Sequence, residues 1–373
     1  MKILYLTEWY PHRYDPMPGL FVRKHAAAAV RQGIDVCVLF LLKDKNVQSG
    51  VEIVEQTTDG ITEWYVYYAG SFFSAVRQGW KAVKQSWGIP QLTQLNVLTK
   101  NGLLAYWLKK RYGIPYILVE HWSGYLPENN SFRGGLHGWL MKQVATEASV
   151  IMPVSQALEN SMKAAGIRNN HWERIHNVVD DFFYEGNAPK AKQEGTVFRF
   201  LHVSCFDERS KNTQGILRAV ALLYSKRQDF ELHLVGSGPD FEASVHTAEA
   251  LGIQNMVVFF DGEKTPEGVH DAMVESDCFV LFSRYENAPV VLSESMACGL
   301  PIIATRVGGI PEMVNPENGI LVESENVEEL AQAMNTMISQ AKLFDKSKIQ
   351  HLGNCYSMQV VGAHLAETYE KYA

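Results

Sequence analysis

Glu286 and Glu294 stand eight positions apart in the stretch SRYENAPVVLSESMACGLPIIATRVGGIPEMV, residues 283–314. The run FVLF before them reads as a buried strand, and Pro289 suits the turn that follows. VLSESMACG has helical spacing with small residues and stops at Gly299. Glu294 then sits about one turn into that helix, and Glu286 sits on the loop ahead of it. Carboxylates on both sides of a helix start can hold hydroxyl groups, while the start itself attracts an anion. A sugar nucleotide has hydroxyls at both ends and a diphosphate between them. Two glutamates on one loop and helix, taken alone, favour a solvated or structural role. The residues around them shift that balance.

The stretch resembles the donor site of retaining glycosyltransferase family 4, within the group 1 glycosyl transferases. That pattern is Glu, seven residues, Glu, a small-residue helix, Gly and Pro. Here it reads Glu286, Glu294, Met296-Ala297-Cys298-Gly299 and Pro301, then the strand IIAT and the turn Gly308-Gly309. The resemblance covers most of the C-terminal half and extends more weakly into the N-terminal half. It implies the GT-B fold, an α/β architecture of two Rossmann-like, doubly wound parallel-sheet domains facing across a cleft. It also implies that Glu286 holds sugar hydroxyls, Glu294 the ribose, and the amides near Val290 and Val291 the diphosphate. The family's Gly-Phe-Gly after the first Glu is replaced by Asn287-Ala288-Pro289. Proline has no amide proton, so donor contacts pass to Asn287, Ala288, Val290 and Val291.

Other loops fit the same chemistry. In SCFDERSKN, Lys211 matches the family lysine that binds the diphosphate just before a helix. The family arginine is missing at Ser204-Cys205, and Arg209 is the substitute, with a fork suited to phosphate. LVGSGPD supplies Gly236 and Gly238, which permit either close approach to the donor or tight packing of the next helix. FFDGE, with Gly262, falls where the family reads the nucleotide base through backbone groups. In the N-terminal half, Gly19 opens a helix where the family brings amides to the donor phosphate. His121, in VEHWSGY, follows a strand where the family places a histidine facing the reacting sugar.

The reaction implied is hexosyl transfer with retention, from a nucleotide-diphosphate sugar to a glycan or lipid-linked glycan, as in bacterial surface polysaccharide synthesis. Glu286, Lys211 and His121 are its catalytic candidates, with Lys211 and Arg209 stabilising the leaving diphosphate. The chain contains no Asp-x-Asp, so no divalent metal or other cofactor is expected. Another GT-B activity (epimerase or phosphorylase) and a catalytically idle sugar-nucleotide binder are the alternatives. Slow release of nucleotide without transfer to any acceptor would mark the idle protein. No nucleic-acid partner is expected.

The elements that must position these residues alternate. Each half opens with a strand, residues 2–7 and 198–203, followed by a loop, a helix and a second strand. That order predicts parallel sheets built from βαβ units. Further strands are expected at 115–120, 149–154, 256–260, 278–282 and 301–304. The expected domains are 1–180 and 181–355, with 180–194 as linker and a final helix over about 356–373 returning to the first domain, as the resemblance implies.

A chain of 373 residues, 46% hydrophobic, suffices for two cores. Its five cysteines are scattered and several lie in apolar runs, which suggests free, mostly buried thiols in a reducing compartment. No apolar run reaches membrane-spanning length, and a cytoplasmic location is expected. Residues 1–180 carry 19 Lys and Arg against 14 Asp and Glu, while the chain as a whole has net charge −7. The basic half includes SFFSAVRQGWKAVKQSWG, residues 71–88, in which aromatic and basic positions interleave at near-helical spacing. Such a helix either covers the N-terminal sheet with its basic side solvated, or lies on an anionic membrane at the inner face of the cell.

Overall fold

The computed structural model describes residues 1–48, 50–129, 131–132, 134–185 and 197–373. The chain forms two compact units, Met1–Val178 with Tyr356–Ala373, and Val179–Cys355. Much of the expected linker, residues 186–194, lies outside the described residues.

In unit 1 the order is β1 (Lys2–Thr7), α1 (Leu20–Arg31), β2 (Asp35–Lys43), β3 (Val51–Thr58), β4 (Ile61–Tyr68) and α2 (Phe72–Ser86). It continues with β5 (Leu92–Asn96), α3 (Gly102–Tyr112), β6 (Tyr116–Glu120), α4 (Gly135–Glu147), β7 (Ile151–Pro153) and α5 (Gln156–Ala164). The strands form one sheet ordered β3-β4-β2-β1-β5-β6-β7. All neighbours are parallel except β3 and β4. Strands covered on both faces read as continuous apolar runs, and β1 and β2 do so.

The alanine stripe of α1 takes the C-terminal helix, Met358–Tyr372. A side chain at Gly362 would stand 2.5 Å from Ala28 O, so glycine there permits the close crossing. Tyr369 of that helix hydrogen-bonds Tyr5 at 2.5 Å and Gln94 at 2.6 Å inside the unit.

Two features differ from the simple βαβ reading. β3 pairs antiparallel with β4 through Asp59-Gly60, at φ 53° and 80°. An Asp-Gly pair at positive φ is a hairpin turn whose twist matches the flanking strands. α2 is the sheet cover: Ala75, Gly79, Trp80 and Val83 are buried, and Gly79 lies against Val66 and Leu39. Trp87 donates to Asp35 at 2.8 Å, leaving Phe73 as the strongly exposed aromatic of this helix. Arg77, Lys81 and Lys84 are exposed. No helix of the described residues is long and apolar enough to cross a membrane.

Unit 2 contains β8 (Phe198–Ser204), α6 (Glu208–Lys211), α7 (Thr213–Tyr224), β9 (Phe230–Gly236), α8 (Phe241–Ala250) and β10 (Val258–Gly262). There follow α9 (Pro266–Glu275), β11 (Cys278–Leu281), α10 (Val290–Ala297), β12 (Ile302–Thr305), α11 (Ile310–Met313) and β13 (Gly319–Val322). α12 (Val327–Gln340) and α13 (Lys346–Gly353) complete it. Its sheet is parallel throughout, ordered β10-β9-β8-β11-β12-β13. The core between sheet and helices is apolar, with Phe200, Ile216, Leu232, Val280 and Met334 fully buried.

α10 ends where its sequence says it must. Gly299, at φ 68°, donates to Met296 O at 2.9 Å, and Leu300 donates to Ser295 O at 2.9 Å. Those two bonds close the helix on a left-handed residue that glycine adopts without a steric penalty. Of the cysteines, Cys37, Cys278 and Cys298 are buried, whereas Cys205 is exposed at the end of β8.

Candidate functional site

The unit 2 sheet changes direction between β8 and β11. From β8 the chain builds outwards to β9 and β10, and from β11 it builds the other way to β12 and β13. Open α/β sheets bind ligands at such a switch point, outside the carboxyl ends of the strands. The loops leaving β8 and β11 carry Lys211 and Glu286.

These two side chains meet. Lys211 Nζ is 2.5 Å from Glu286 Oε1, and Ser283 Oγ donates to the same oxygen at 2.9 Å. The side chains are 19% and 11% exposed. Burial works against the charge on Lys211, but the adjacent Glu286 carboxylate outweighs it and the lysine pKa is raised. Gly308 and Gly309 set the backbone of Glu286. Gly309 donates to Glu286 O at 3.2 Å, and a Cβ on Gly308, at φ 49°, would stand 1.7 Å from that oxygen. Thr305 Oγ1 ties Ser283 O to β12 at 2.7 Å.

α10 starts directly after Pro289, with no side-chain cap. The amides of Val290 and Val291 belong to the first turn, where the helix offers its donors no partner of its own. Both valines, Ala288 and Glu294 are half-buried, and Asn287 is buried. This helix start, Lys211 and Glu286 all stand at the switch point.

The remaining candidates divide. Arg209 is exposed on α6, and among the described residues its side chain has no ion pair. Gly236, at φ 130°, would place a Cβ 1.9 Å from Ser204 O, and Gly238 would place one 1.7 Å from Cys205 O. Both glycines therefore seat the β9 turn against the end of β8. Gly262, at φ 70°, has open space where its side chain would be, just past a register shift in β10.

In unit 1, Gly19 is left-handed at φ 68° and opens α1; a Cβ there would stand 2.0 Å from Trp9 O. His121 follows β6, its ring 4.0 Å from that of Phe21 and 5.4 Å from that of His25. Burial first, then the neighbouring His25, push its pKa well below the ordinary histidine value, so the imidazole is neutral. Glu120 was not singled out in the sequence, yet it organises this loop. It is fully buried and accepts from the amides of Leu98, His121 and Trp122, each at 2.9 Å. Burial pushes its pKa up to about 7, against the lowering effect of those amides.

The family described as "Glycosyl transferases group 1" matches residues 186–349, and the family described as "Glycosyl transferase 4-like domain" matches residues 18–178. The chain belongs to the group 1 glycosyltransferases. Its units are those of the GT-B fold, shared at TM-score 0.72 and 20% identity with HepE of Anabaena in complex with UDP-glucose, over 100% of both chains. It is 30% identical to the N-acetyl-alpha-D-glucosaminyl L-malate synthase of Bacillus anthracis over 48% of this chain and 47% of that one. With the putative teichuronic acid biosynthesis glycosyltransferase TuaC of Bacillus subtilis it shares 23% identity, over 90% of this chain and 88% of the relative. Three of the curated relatives are matched over 47%, 64% and 40% of their length.

In this family member Ser283, Arg284, Glu208 and Asn212 also shape the site, although no motif in the sequence singles them out. Asn212 sits at φ 49° and caps α7 through Gly215 N at 3.2 Å. An Asn just ahead of an apolar helix was the available signal for that cap. Arg284 gave none, because its partners come from two distant segments, residues 208–212 and Glu325.

Proposed function

We propose that this group 1 glycosyltransferase moves a hexose-type sugar, with retention, from a nucleotide-diphosphate sugar to a glycan or lipid-linked glycan. The observation that carries the reading is the meeting of Lys211 and Glu286 beside the start of α10 at the unit 2 switch point. A cation, a hydrogen-bond acceptor and unfilled helix amides are the groups a sugar diphosphate needs.

In the proposed reaction the bond between the anomeric carbon and the diphosphate oxygen breaks, and its electron pair stays on that oxygen. Lys211 and the amides of Val290 and Val291 stabilise the charge that develops. Glu286 accepts hydrogen bonds from sugar hydroxyls, and Glu294 from the ribose. The acceptor hydroxyl oxygen bonds to the anomeric carbon on the face the diphosphate leaves, and its proton passes to the departing phosphate. The positive charge in this scheme comes from the protein, so the reaction is proposed to need no divalent metal. Gly236 and Gly238 act by seating the β9 turn, and Gly262 keeps its place as the base-side contact. Arg209 remains available to the diphosphate as an exposed cation. His121 and Gly19 are the unit 1 groups proposed to take part. Family membership, the UDP-glucose complex of HepE and the polysaccharide relative TuaC support the donor and acceptor classes.

A thermal-shift panel of UDP-, GDP-, ADP- and dTDP-linked sugars tests the reading. A ligand that binds the folded state raises the melting temperature, by about 2.7 kcal/mol of stabilisation at a hundredfold excess over Kd. One member is expected to raise it and to be consumed when a matching acceptor is supplied. No shift with any member would sink the proposal.

A further inference from the structure

Lys211 is carried by a single helical turn, α6, and by residues whose backbone is not at rest. Asn212, directly after it, has φ 49°; Phe206, just before the turn, has φ 41°; and Glu325, across from it, has φ 65°. Non-glycine residues in this region persist only where their surroundings over-determine them. Two of the three, Asn212 and Glu325, share one partner, Arg284.

The Arg284 amide donates to Ser210 O at 2.8 Å. Its Nη1 donates to Glu208 O, and Nη2 donates to Asn212 Oδ1 at 2.9 Å and to Glu208 Oε1 at 3.3 Å. Nε donates to Glu325 Oε1. One planar fork thus binds both ends of the turn around Lys211 and the strained Glu325. The backbone of Arg284 leads, two residues on, to Glu286. Glu208 tightens the same knot through Oε2, which accepts from Gln214 N at 3.0 Å. A lysine at 284 would bring one compact ammonium and no fork, so it would not span these acceptors.

We propose that Arg284 is a positioning residue for Lys211. It fastens the 207–212 turn to the Ser283–Glu286 segment, so that the ammonium is held against Glu286 and, on the glycosyl-transfer reading above, against the leaving diphosphate. Arg284 itself needs no contact with the donor: all of its nitrogens are engaged by the protein.

Arg284→Met, Arg284→Lys, Lys211→Met and the double variant Arg284→Met/Lys211→Met test this with two measurements. The first is amide hydrogen exchange without ligand. Exchange at Ser210, Lys211 and Asn212 is expected to quicken roughly tenfold or more in both Arg284 variants while the β8 and β11 amides stay protected. Unchanged exchange in the turn would overturn the clamp, and exchange raised across the whole of unit 2 would reduce Arg284 to a general brace. The second is titration with UDP and with GDP as probes. Arg284→Met and Lys211→Met are each expected to weaken binding roughly tenfold, and the double variant to bind no more weakly than Lys211→Met alone. Additive losses would show that Arg284 acts independently of Lys211 and would overturn the proposal. Wild-type protein that binds neither probe would sink the donor reading, while the exchange measurement would still decide whether Arg284 holds the turn.

Discussion

Lys211 and Glu286 are 75 residues apart in the chain, and their charged atoms are 2.5 Å apart in the fold. The pair joins the loop after β8 to the loop after β11, the two strands that flank the switch point of the sheet. Each partner explains how the other tolerates its burial. The ammonium has a carboxylate against it, and the carboxylate oxygen has two donors.

Breaking the pair should therefore cost both activity and stability. Lys211→Ala and Glu286→Ala are each expected to lower turnover by about 10²–10³-fold, the scale of losing one preorganised polar contact to the transition state, a donor at Lys211 and an acceptor at Glu286. Each should also lower unfolding free energy by about 1–3 kcal/mol, because one partner is left behind in a mostly buried place. The double variant should lose less stability than the sum of the singles. Chemical denaturation and initial rates check this; a single variant with wild-type turnover would remove that residue from the mechanism.

Activity should survive EDTA. The motivation is the lack of any Asp-x-Asp in the chain together with the lysine and helix amides at the switch point. Turnover abolished by chelation and restored by Mg²⁺ or Mn²⁺ would contradict the proposed stabilisation of the leaving group.

Gly308→Ala and Gly262→Ala separate backbone strain from lack of space. Both positions have positive φ, 49° and 70°, so each alanine carries a conformational penalty of about 1 kcal/mol. Only at Gly308 does the new Cβ strike protein, 1.7 Å from Glu286 O. Gly308→Ala is expected to displace Glu286 and lose most turnover, and Gly262→Ala, on the proposed base-side role, to weaken donor affinity while leaving turnover at saturating donor near wild type. Equal loss of turnover in the two would show that space beside Glu286 is not the constraint.

Acid should weaken unit 2 through His202. That ring is fully buried, and burial lowers its pKa to about 4, against the raising effect of its bond to Val280 O. The folded value lies below the ordinary 6.5, so the stabilising contribution is present above pH 6.5 and is lost as pH falls towards 4. At pH 5 the loss is about 2 kcal/mol. In unit 1, His25 is lowered to about 4 in the same way, but Glu120, raised to about 7, has the opposite sign. Its contribution is present below pH 4.5 and lost as pH rises through 7, so it offsets part of the His25 effect. His202→Gln should flatten the melting-temperature decline between pH 7.5 and 5. An unaltered decline would assign it to other groups.

Local signals carried much of the fold. Periodicity and caps act over a few residues, so β1, α1, α7, α10 with its Gly299 stop, and the C-terminal helix were readable from the sequence. The hairpin of β3 and β4 was readable too, from Asp59-Gly60 between strand-forming runs, but the expectation of simple βαβ units passed over it. Amphipathic spacing in residues 71–88 predicted a helix, yet spacing alone does not say what the apolar stripe meets. The sheet takes Trp80 and Val83, as in the sheet-covering alternative.

The amino-acid sequence by itself determined the family, the alternation of elements and the presence of residue types that suit the proposed sugar diphosphate. Only the tertiary structure decided which of those residues meet. Parallel strands covered on both faces are uniformly apolar, so their sequences do not record that β8 lies beside β11. That adjacency puts Lys211 against Glu286 and lets the fork of Arg284 close on Glu208 and Asn212, while Arg209, the nearer arginine in sequence, is left exposed. The glycines divide for the same reason. Gly236 and Gly238 are needed for carbonyls of β8 and its loop that lie more than thirty residues upstream, a demand set by strand packing and not by their own turn.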